Sequence, residues 1–365
     1  MNLQQTIFDL MKFRTETGNE AEIYKCLDYV KNIFANTSAN VEIFDGVKSA
    51  PVIFISNKKT DNYDVLTLGH LDVVPAEDHM FEPCLKDGKL YGRGSLDMKS
   101  FAATAFKSML YVLENNLDIS FAIMLSTDEE TGSKGTHAFM DSRPNLKANI
   151  VLDNDVGGDI TKIINACKAP TFVKIIAHGK EAHGSTPWEG VDANDKLLET
   201  LANIRKLYPA MPIKPQDTWT ETLHIAKING GHVANVICDN VEALLDFRLT
   251  EKQSLEELEN NLKSCLVDGV EYKIVSSSTV VYMPQDNEYI LSYKKLAEET
   301  LNQPIEFEQI GGATDSRSFF VRGSTVIMHS GTGEGMHTKD EWAEFKSIED
   351  ISKIQIKFLE KMCSK

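Results

Sequence analysis

The sequence predicts an α/β protein with a mainly parallel sheet, interrupted by a smaller α+β domain. Two observations carry that prediction. Apolar runs of strand length alternate with segments of helical periodicity toward both ends of the chain, the pattern of helices packed on a parallel sheet. Near Ala166 the pattern turns strand-rich, and after Pro284 the alternation returns. The main domain is therefore expected over residues 1–166 and 284–365, split by an inserted domain over 167–283.

Residues 2–35 read as two helices broken at Glu16-Thr17-Gly18-Asn19. Val41–Phe44 and Val52–Ser56 read as strands. Val65–Leu68 reads as a buried strand that stops at Gly69, with His70 and Asp72 just past its end. The following segment holds Pro75, Pro83 and Gly88 and reads as loop. Tyr91-Gly92-Arg93-Gly94 then turns tightly and delivers Asp97 to the start of an apolar helix, Met98–Leu113. Ser120–Ser126 and Asn149–Leu152 complete the first set of strands. In the insert, Thr171–Ala177, Thr222–Lys227 and Val241–Leu249 are β-like, and Ala193–Leu207 and Ser254–Leu266 are helical. After Pro284 come a helix at Tyr289–Leu301, a strand at Ser324–Met328 and a last helix at Ile348–Met362.

At 365 residues the chain is long enough for two domains with their own cores. The net charge of −16 argues against a nucleic-acid backbone or an anionic membrane surface as partner. No apolar run approaches the roughly twenty residues that span a bilayer. Met1-Asn2-Leu3-Gln4-Gln5 opens directly into a helical pattern, so no leader is expected. The six cysteines (Cys26, Cys84, Cys167, Cys238, Cys265, Cys363) are scattered without paired spacing, which reads as reduced thiols in a cytoplasmic protein.

Three predicted strands end in acidic or imidazole groups: His70 and Asp72, Glu129 and Glu130, Asp153 and Asp155. Taken singly, each has an ordinary explanation. A strand-end histidine is more often a satisfied polar group than a ligand. Asp97 suits a helix cap, and two adjacent glutamates suit a solvated turn. Taken together, they fall where open α/β sheets place their sites, at the carboxyl ends of strands. A carboxylate cluster repels itself unless cations hold it. Imidazole and carboxylate ligands suit zinc among other divalent metals, so a two-metal site is the expectation. Gly331-Thr332-Gly333-Glu334-Gly335-Met336-His337 presents a further imidazole after a strand. Gly311-Gly312-Ala313-Thr314-Asp315 is a second glycine loop, able to approach a substrate with its backbone amides.

The motifs GHLDVVP, YGRGSLDMK, STDEETGSKG, VLDND, AHGSTPWEG, GGHVANVI, GGATDS and GTGEGMH stand in this order over nearly the whole chain. In that order they resemble those of the dizinc peptidases and deacylases. That family includes acetylornithine deacetylase, succinyl-diaminopimelate desuccinylase, aminoacylase and bacterial glutamate carboxypeptidase. The resemblance implies a zinc-peptidase catalytic domain carrying a ferredoxin-like insert that serves as dimerisation or lid domain. It implies two zinc ions per subunit, replaceable by cobalt or manganese, with Asp97 between them. His70 and Asp155 would complete one metal, and Glu130 and His337 the other. Glu129 would be the general base, and Asp72 would hold His70 through its second ring nitrogen. In the insert, His183 matches the histidine that reaches across a dimer to the developing oxyanion. Asn235 and Arg248 match substrate-facing positions, and Gly312 and Thr314 belong with them as substrate contacts. His79, His137, His178, His224, His232 and His329 are read as structural. One departure stands out: relatives often carry Glu-Pro at the third carboxylate position, where this chain has Asp155-Val156. Asp153 is the alternative ligand there, and a shorter Asp implies a weaker hold on that metal.

The activity implied is amide hydrolysis of small N-acyl amino acids or dipeptides by a homodimer. The stretch GGHVANVICDNVEALLDFR tilts the expectation toward N-acyl-amino-acid deacylation, with a metallo-carboxypeptidase or dipeptidase as the alternative. The insert argues against a simple dizinc aminopeptidase. The complete ligand set argues against a non-catalytic metal-binding scaffold.

Overall fold

The strands Phe121–Ser126, Asn62–His70, Lys147–Asp153 and Thr325–Met328 lie side by side and parallel in the computed structural model, which describes residues 1–209 and 219–363. Phe121–Ser126 is buried at every position, so both of its faces are covered, as expected of a continuous apolar run in a parallel sheet. Val52–Ser56 adds antiparallel to Phe121–Ser126, and Asn40–Phe44 adds antiparallel beyond it. Helix Lys99–Glu114 packs on these strands and against helices Leu3–Lys12 and Phe345–Cys363. It is rich in Ala, Leu, Met and Phe. It stops at Asn115, followed by Asn116 in the left-handed region at φ 49°, a conformation asparagine tolerates better than most residues. These elements belong to one unit, made of Met1–Asn165, Met283–Glu308 and Thr314–Lys365.

Two details of this unit differ from the sequence reading. The strand continues through Gly69, and His70 is its last residue. At Gly69 the strand passes close to the end of the Met98 side chain, which a Cβ there would meet at 2.4 Å and so displace. The segment read as loop after Pro75 also contains structure. Met80 and Phe81 are buried, and Cys84–Lys86 and Lys89–Tyr91 form a hairpin. Its turn is Asp87-Gly88, both at positive φ, the Asp-Gly signature of a two-residue hairpin. The hairpin extends into a four-stranded antiparallel sheet with Trp342–Glu344 and Gly333–Glu334. Three-residue strands rich in lysine carry too little apolar pattern to be seen in the sequence.

The second unit comprises Ala166–Tyr282 and Gln309–Ala313. Its sheet runs Thr222–Gly230, Asn240–Leu249, Ala169–His178, Val270–Ser277, all antiparallel. Helices Ala193–Leu207 and Leu255–Cys265 fall between these strands in the order strand, helix, strand, strand, helix, strand, the split β-α-β arrangement of ferredoxin-like domains. Burial alternates along Asn240–Leu249, the period-2 pattern of a sheet with one covered face. Its buried face carries Val241, Ala243, Leu245, Phe247 and Leu249, which join Leu197, Leu201, Ile204, Leu258 and Leu262 of the helices in one apolar core. The strand Val270–Ser277 escapes the sequence reading because it alternates with charged residues and is mostly exposed.

Candidate metal centre

The ends of the parallel strands gather the candidate groups. His70 closes its strand and is 1% exposed. Its Nδ1 lies 3.0 Å from the Asp72 carbonyl oxygen. A carbonyl only accepts, so this ring nitrogen bears the proton. Nε2 faces Asp97 Oδ1 at 2.9 Å, a contact that either a second ring proton or a metal ion satisfies. Asp155 Oδ1 stands 3.9 Å from the same Nε2.

Asp97 precedes helix Lys99–Glu114 and presents both oxygens. Oδ2 lies 2.9 Å from His337 Nε2, which is itself 3.1 Å from Glu130 Oε2. Two ligand groups result: His70, Asp97 and Asp155, and Asp97, Glu130 and His337, with the donor atoms of each group within 4.8 Å of one another. Asp97 belongs to both. His337 sits at φ 62°, in the left-handed region uncommon for a residue with a side chain. Asp97 is no helix cap, since the N-cap position falls to Met98.

Glu129 and Glu130 lie on a single 3₁₀ turn after the strand Phe121–Ser126. Asp72 holds that turn: its carboxylate accepts from the amides of Glu129 and Glu130, both at 3.2 Å, and from Thr17 Oγ1 at 2.8 Å. Its Oδ1 is 3.4 Å from His70 Nδ1, farther than its own carbonyl. So Asp72 orients His70 mainly through its backbone, and its side chain serves the two glutamates.

Burial dominates the electrostatics. It pushes the Glu129 carboxyl up to about 8, with Asp315 and Asp72 adding like charge against His70. Burial, then Asp97, raise Glu130 to about 7 against the two histidines. Burial likewise raises Asp155 well above the usual carboxylate range. For Asp97, burial is outweighed by hydrogen bonds to His337 and His70, which lower it. At His70, burial acts downward but Asp72 and Asp97 raise the imidazole well above its ordinary value. A divalent cation is the counter-charge that would hold such a set ionised. The donors, imidazole nitrogen and carboxylate oxygen, fit zinc, cobalt or manganese.

Asp153 and Asp155 part company. Asp153 Oδ1 accepts the Asp155 amide at 2.9 Å, and Asp153 joins neither ligand group. Asn154 between them is buried and pinned by Gln355 at 2.8 Å, itself bonded to Thr104. Thr314 is buried and bonded to Ser316. His329, read as structural, is buried between Tyr293 Oη at 3.2 Å and the Ile160 carbonyl at 2.7 Å.

The remaining sequence candidates lie in the second unit. His183 is exposed, with Nδ1 2.7 Å from Ser185 Oγ. Asn235 is exposed, and its carbonyl accepts from the Gly184 amide at 2.8 Å. The Arg248 guanidinium is engaged by Asp246 at 2.9 and 3.0 Å. Gly312 is exposed and in open space, with only Ile310 Cδ1 near a Cβ position at 3.8 Å. His232, with Glu181 and Asp239, forms a third His–carboxylate group, largely exposed.

The sequence reading missed Glu341, Arg93, Thr17 and Lys99. Glu341 and Arg93 form a buried ion pair at 2.5 Å. Lys99 is fully buried, and its ammonium donates to the Phe13 carbonyl at 2.6 Å. Arg93 stands between two glycines of a quoted motif, the one available hint. Glu341 lies in a run of charges that reads as surface.

Comparison with known proteins places the chain among hydrolases. Succinyl-diaminopimelate desuccinylase of Rickettsia typhi is 27% identical over 399 residues, covering 96% of this chain and 97% of that protein. Acetylornithine deacetylase of Vibrio parahaemolyticus is 26% identical over 373 residues, covering 95% and 93%. Among solved structures, aminopeptidase PepT from Bacillus cereus shares the fold with a TM-score of 0.79 at 20% identity, over 100% of this chain and 98% of that one. That match spans the whole chain, the second unit included, so the fold is shared throughout. The pattern of Peptidase family M20/M25/M40 matches residues 66–361, from the His70 strand to the last helix, so the chain belongs to that family of hydrolases.

Proposed function

We propose that this chain is a zinc-dependent amide hydrolase that removes the acyl group from small N-acyl amino acids. Family membership supports hydrolysis with a divalent metal. The observation that carries the reading is the meeting of two ligand groups on Asp97 beside the half-buried Glu129 carboxyl. His70, Asp97 and Asp155 would hold one ion, and Asp97, Glu130 and His337 the other. Ions in such a pair polarise a carbonyl and lower the pKa of water. Glu129 takes the proton from the attacking water as the carbon–oxygen bond forms. It returns that proton to the leaving nitrogen as the amide bond breaks, so one carboxyl group serves first as base and then as acid. Asp72 keeps Glu129 and Glu130 in place through their amides.

The relatives named desuccinylase and deacetylase support the acyl-amino-acid class. The test is release of free amino groups from a panel by the zinc-loaded protein. The panel holds N-acetyl and N-succinyl amino acids beside short peptides. Cleavage of one acylated class, abolished by chelator, is the expected result. Cleavage of peptides alone moves the protein to the peptidase branch.

The second unit enters this reading as a dimerisation and lid domain, with His183 reaching the oxyanion of a partner's site and Asn235 and Arg248 facing the substrate. An exposed loop histidine suits that reach. Mixing Glu129→Ala and His183→Ala subunits should restore part of the activity that each lacks. A mixture as inactive as its components removes the role in trans.

A further inference from the structure

We propose that Glu341 is a positioning residue of the metal centre, locking the Arg93–Asp97 turn to the chain segment that carries His337. The inference rests on the reading of Asp97 and His337 as metal ligands. Glu341 is 1% exposed and belongs to neither ligand group. Its Oε1 accepts from the amides of Leu96 at 2.9 Å and Asp97 at 3.1 Å. Its Oε2 accepts from the Gly94 amide at 3.2 Å and from Arg93 Nη1 at 2.5 Å. One buried carboxylate therefore takes three backbone donors of a single turn, the polarity of an anion-binding nest with a side-chain carboxylate as the anion. Arg93 closes the loop by donating from Nη2 to the Thr338 carbonyl at 3.2 Å, next to His337. The Gly92 amide donates to the Glu341 carbonyl at 3.2 Å.

The turn needs holding because Asp97 must aim two oxygens at once, at His70 and at His337, both at 2.9 Å. Small rotation of its backbone would spoil both. The turn cannot hold itself. Gly92 and Gly94 sit at φ 131° and 83°, where glycine is required but is also free to leave. Gly94 is further fixed by Lys99, whose side chain passes 3.0 Å from a Cβ position there. A buried ion pair is weak evidence for stability, since apolar residues of similar size often serve as well. Here every donor to Glu341 comes from the segment that ends in Asp97, which points to geometry rather than to core packing.

The test compares zinc affinity, measured by competition with a chromophoric chelator, for wild type, Glu341→Gln and a matched control. The control is Arg322→Lys, which loosens half-buried contacts to the Met140, Arg143 and Leu146 carbonyls at 2.8, 2.9 and 2.9 Å and belongs to neither ligand group. Thermal melts of the metal-free proteins show whether each is folded. Glu341→Gln should remain folded and bind zinc about 10- to 100-fold more weakly, the usual cost of losing support behind a ligand. Arg322→Lys should melt lower and bind zinc as wild type does. Should Glu341→Gln fail to fold, Arg93→Lys keeps the charge and loses the fork, and a smaller loss of affinity in the same direction is expected. Unchanged affinity in the folded variant, or an equal loss in the control, overturns the proposal. Wild type that takes up no zinc overturns the metal-site reading first, and this inference with it.

Discussion

The two units are built from different materials. The first buries His70, Asp72, Arg93, Asp97, Lys99, Asp153 and Glu341, each at most 4% exposed. The second packs around Val173, Ile175, Leu245, Phe247 and their neighbours, with Lys168 the buried charge among its described residues. Buried charges cost folding energy unless each is paired or bonded. The first unit accepts that cost and arranges donors and acceptors around most of these atoms, with Arg93 Nε and Asp153 Oδ2 left without a hydrogen bond. The second has an ordinary core and keeps its polar candidates, His183 and Asn235, on the surface. The difference separates a unit built around buried charge from one built around an apolar core.

Substitutions test that separation. The largest effect belongs to Glu129→Ala, expected to cut turnover about 10²- to 10⁴-fold while zinc content stays near wild type. Steady-state rates beside metal analysis check it, and near-normal turnover removes Glu129 from the base role. Next comes Phe247→Ala in the second core, where Phe247 is fully buried and stacks edge-on with Tyr208 at 5.1 Å. It should cost about 3–5 kcal/mol in a thermal melt and leave zinc stoichiometry unchanged. Loss of zinc would break the division between the units.

The buried imidazole of His329 sharpens the same contrast through pH. Burial lowers it from 6.5 to about 4, against its bond to the Ile160 carbonyl. The unfolded chain therefore takes the proton first. Its stabilising share is complete above pH 6.5 and is lost as pH falls toward 4, up to about 3 kcal/mol. Urea unfolding across that range should show a steeper acid loss for wild type than for His329→Gln. The smallest effect is Ser254→Ala, which removes the capping box between Ser254 and Glu257 on an exposed helix start. About 1 kcal/mol of stability should go, with activity untouched.

The legible part of this molecule is the part written in long patterns. The parallel strands are continuous apolar runs, and the helices Ala193–Leu207 and Leu255–Cys265 keep helical spacing. Strand ends bearing His70, Glu129, Glu130 and Asp155 followed from where those runs stop. The short hairpin at Cys84–Tyr91 did not, because three residues hold no period, although Asp87-Gly88 marked its turn. The resemblance supplied Asp97 and His337 as a pair, which spacing alone could not, since 240 residues separate them. Glu341 was invisible for the same reason. Its partners at Arg93–Asp97 lie far back along the chain, and a glutamate in an acidic run gives no sign of burial.

That separation sets an order for synthesis. A chain made from its amino end completes the group of His70, Asp97 and Asp155 long before His337 and Glu341 exist. The Arg93–Asp97 turn spends that interval without its acceptor, and Glu130 without its imidazole. Contacts of such long range form late and slowly. The residues of the earlier group are therefore on the chain, without Glu341 behind Asp97, while the ribosome is still at work. The later one closes only when the last strands join the hairpin at Lys89–Tyr91.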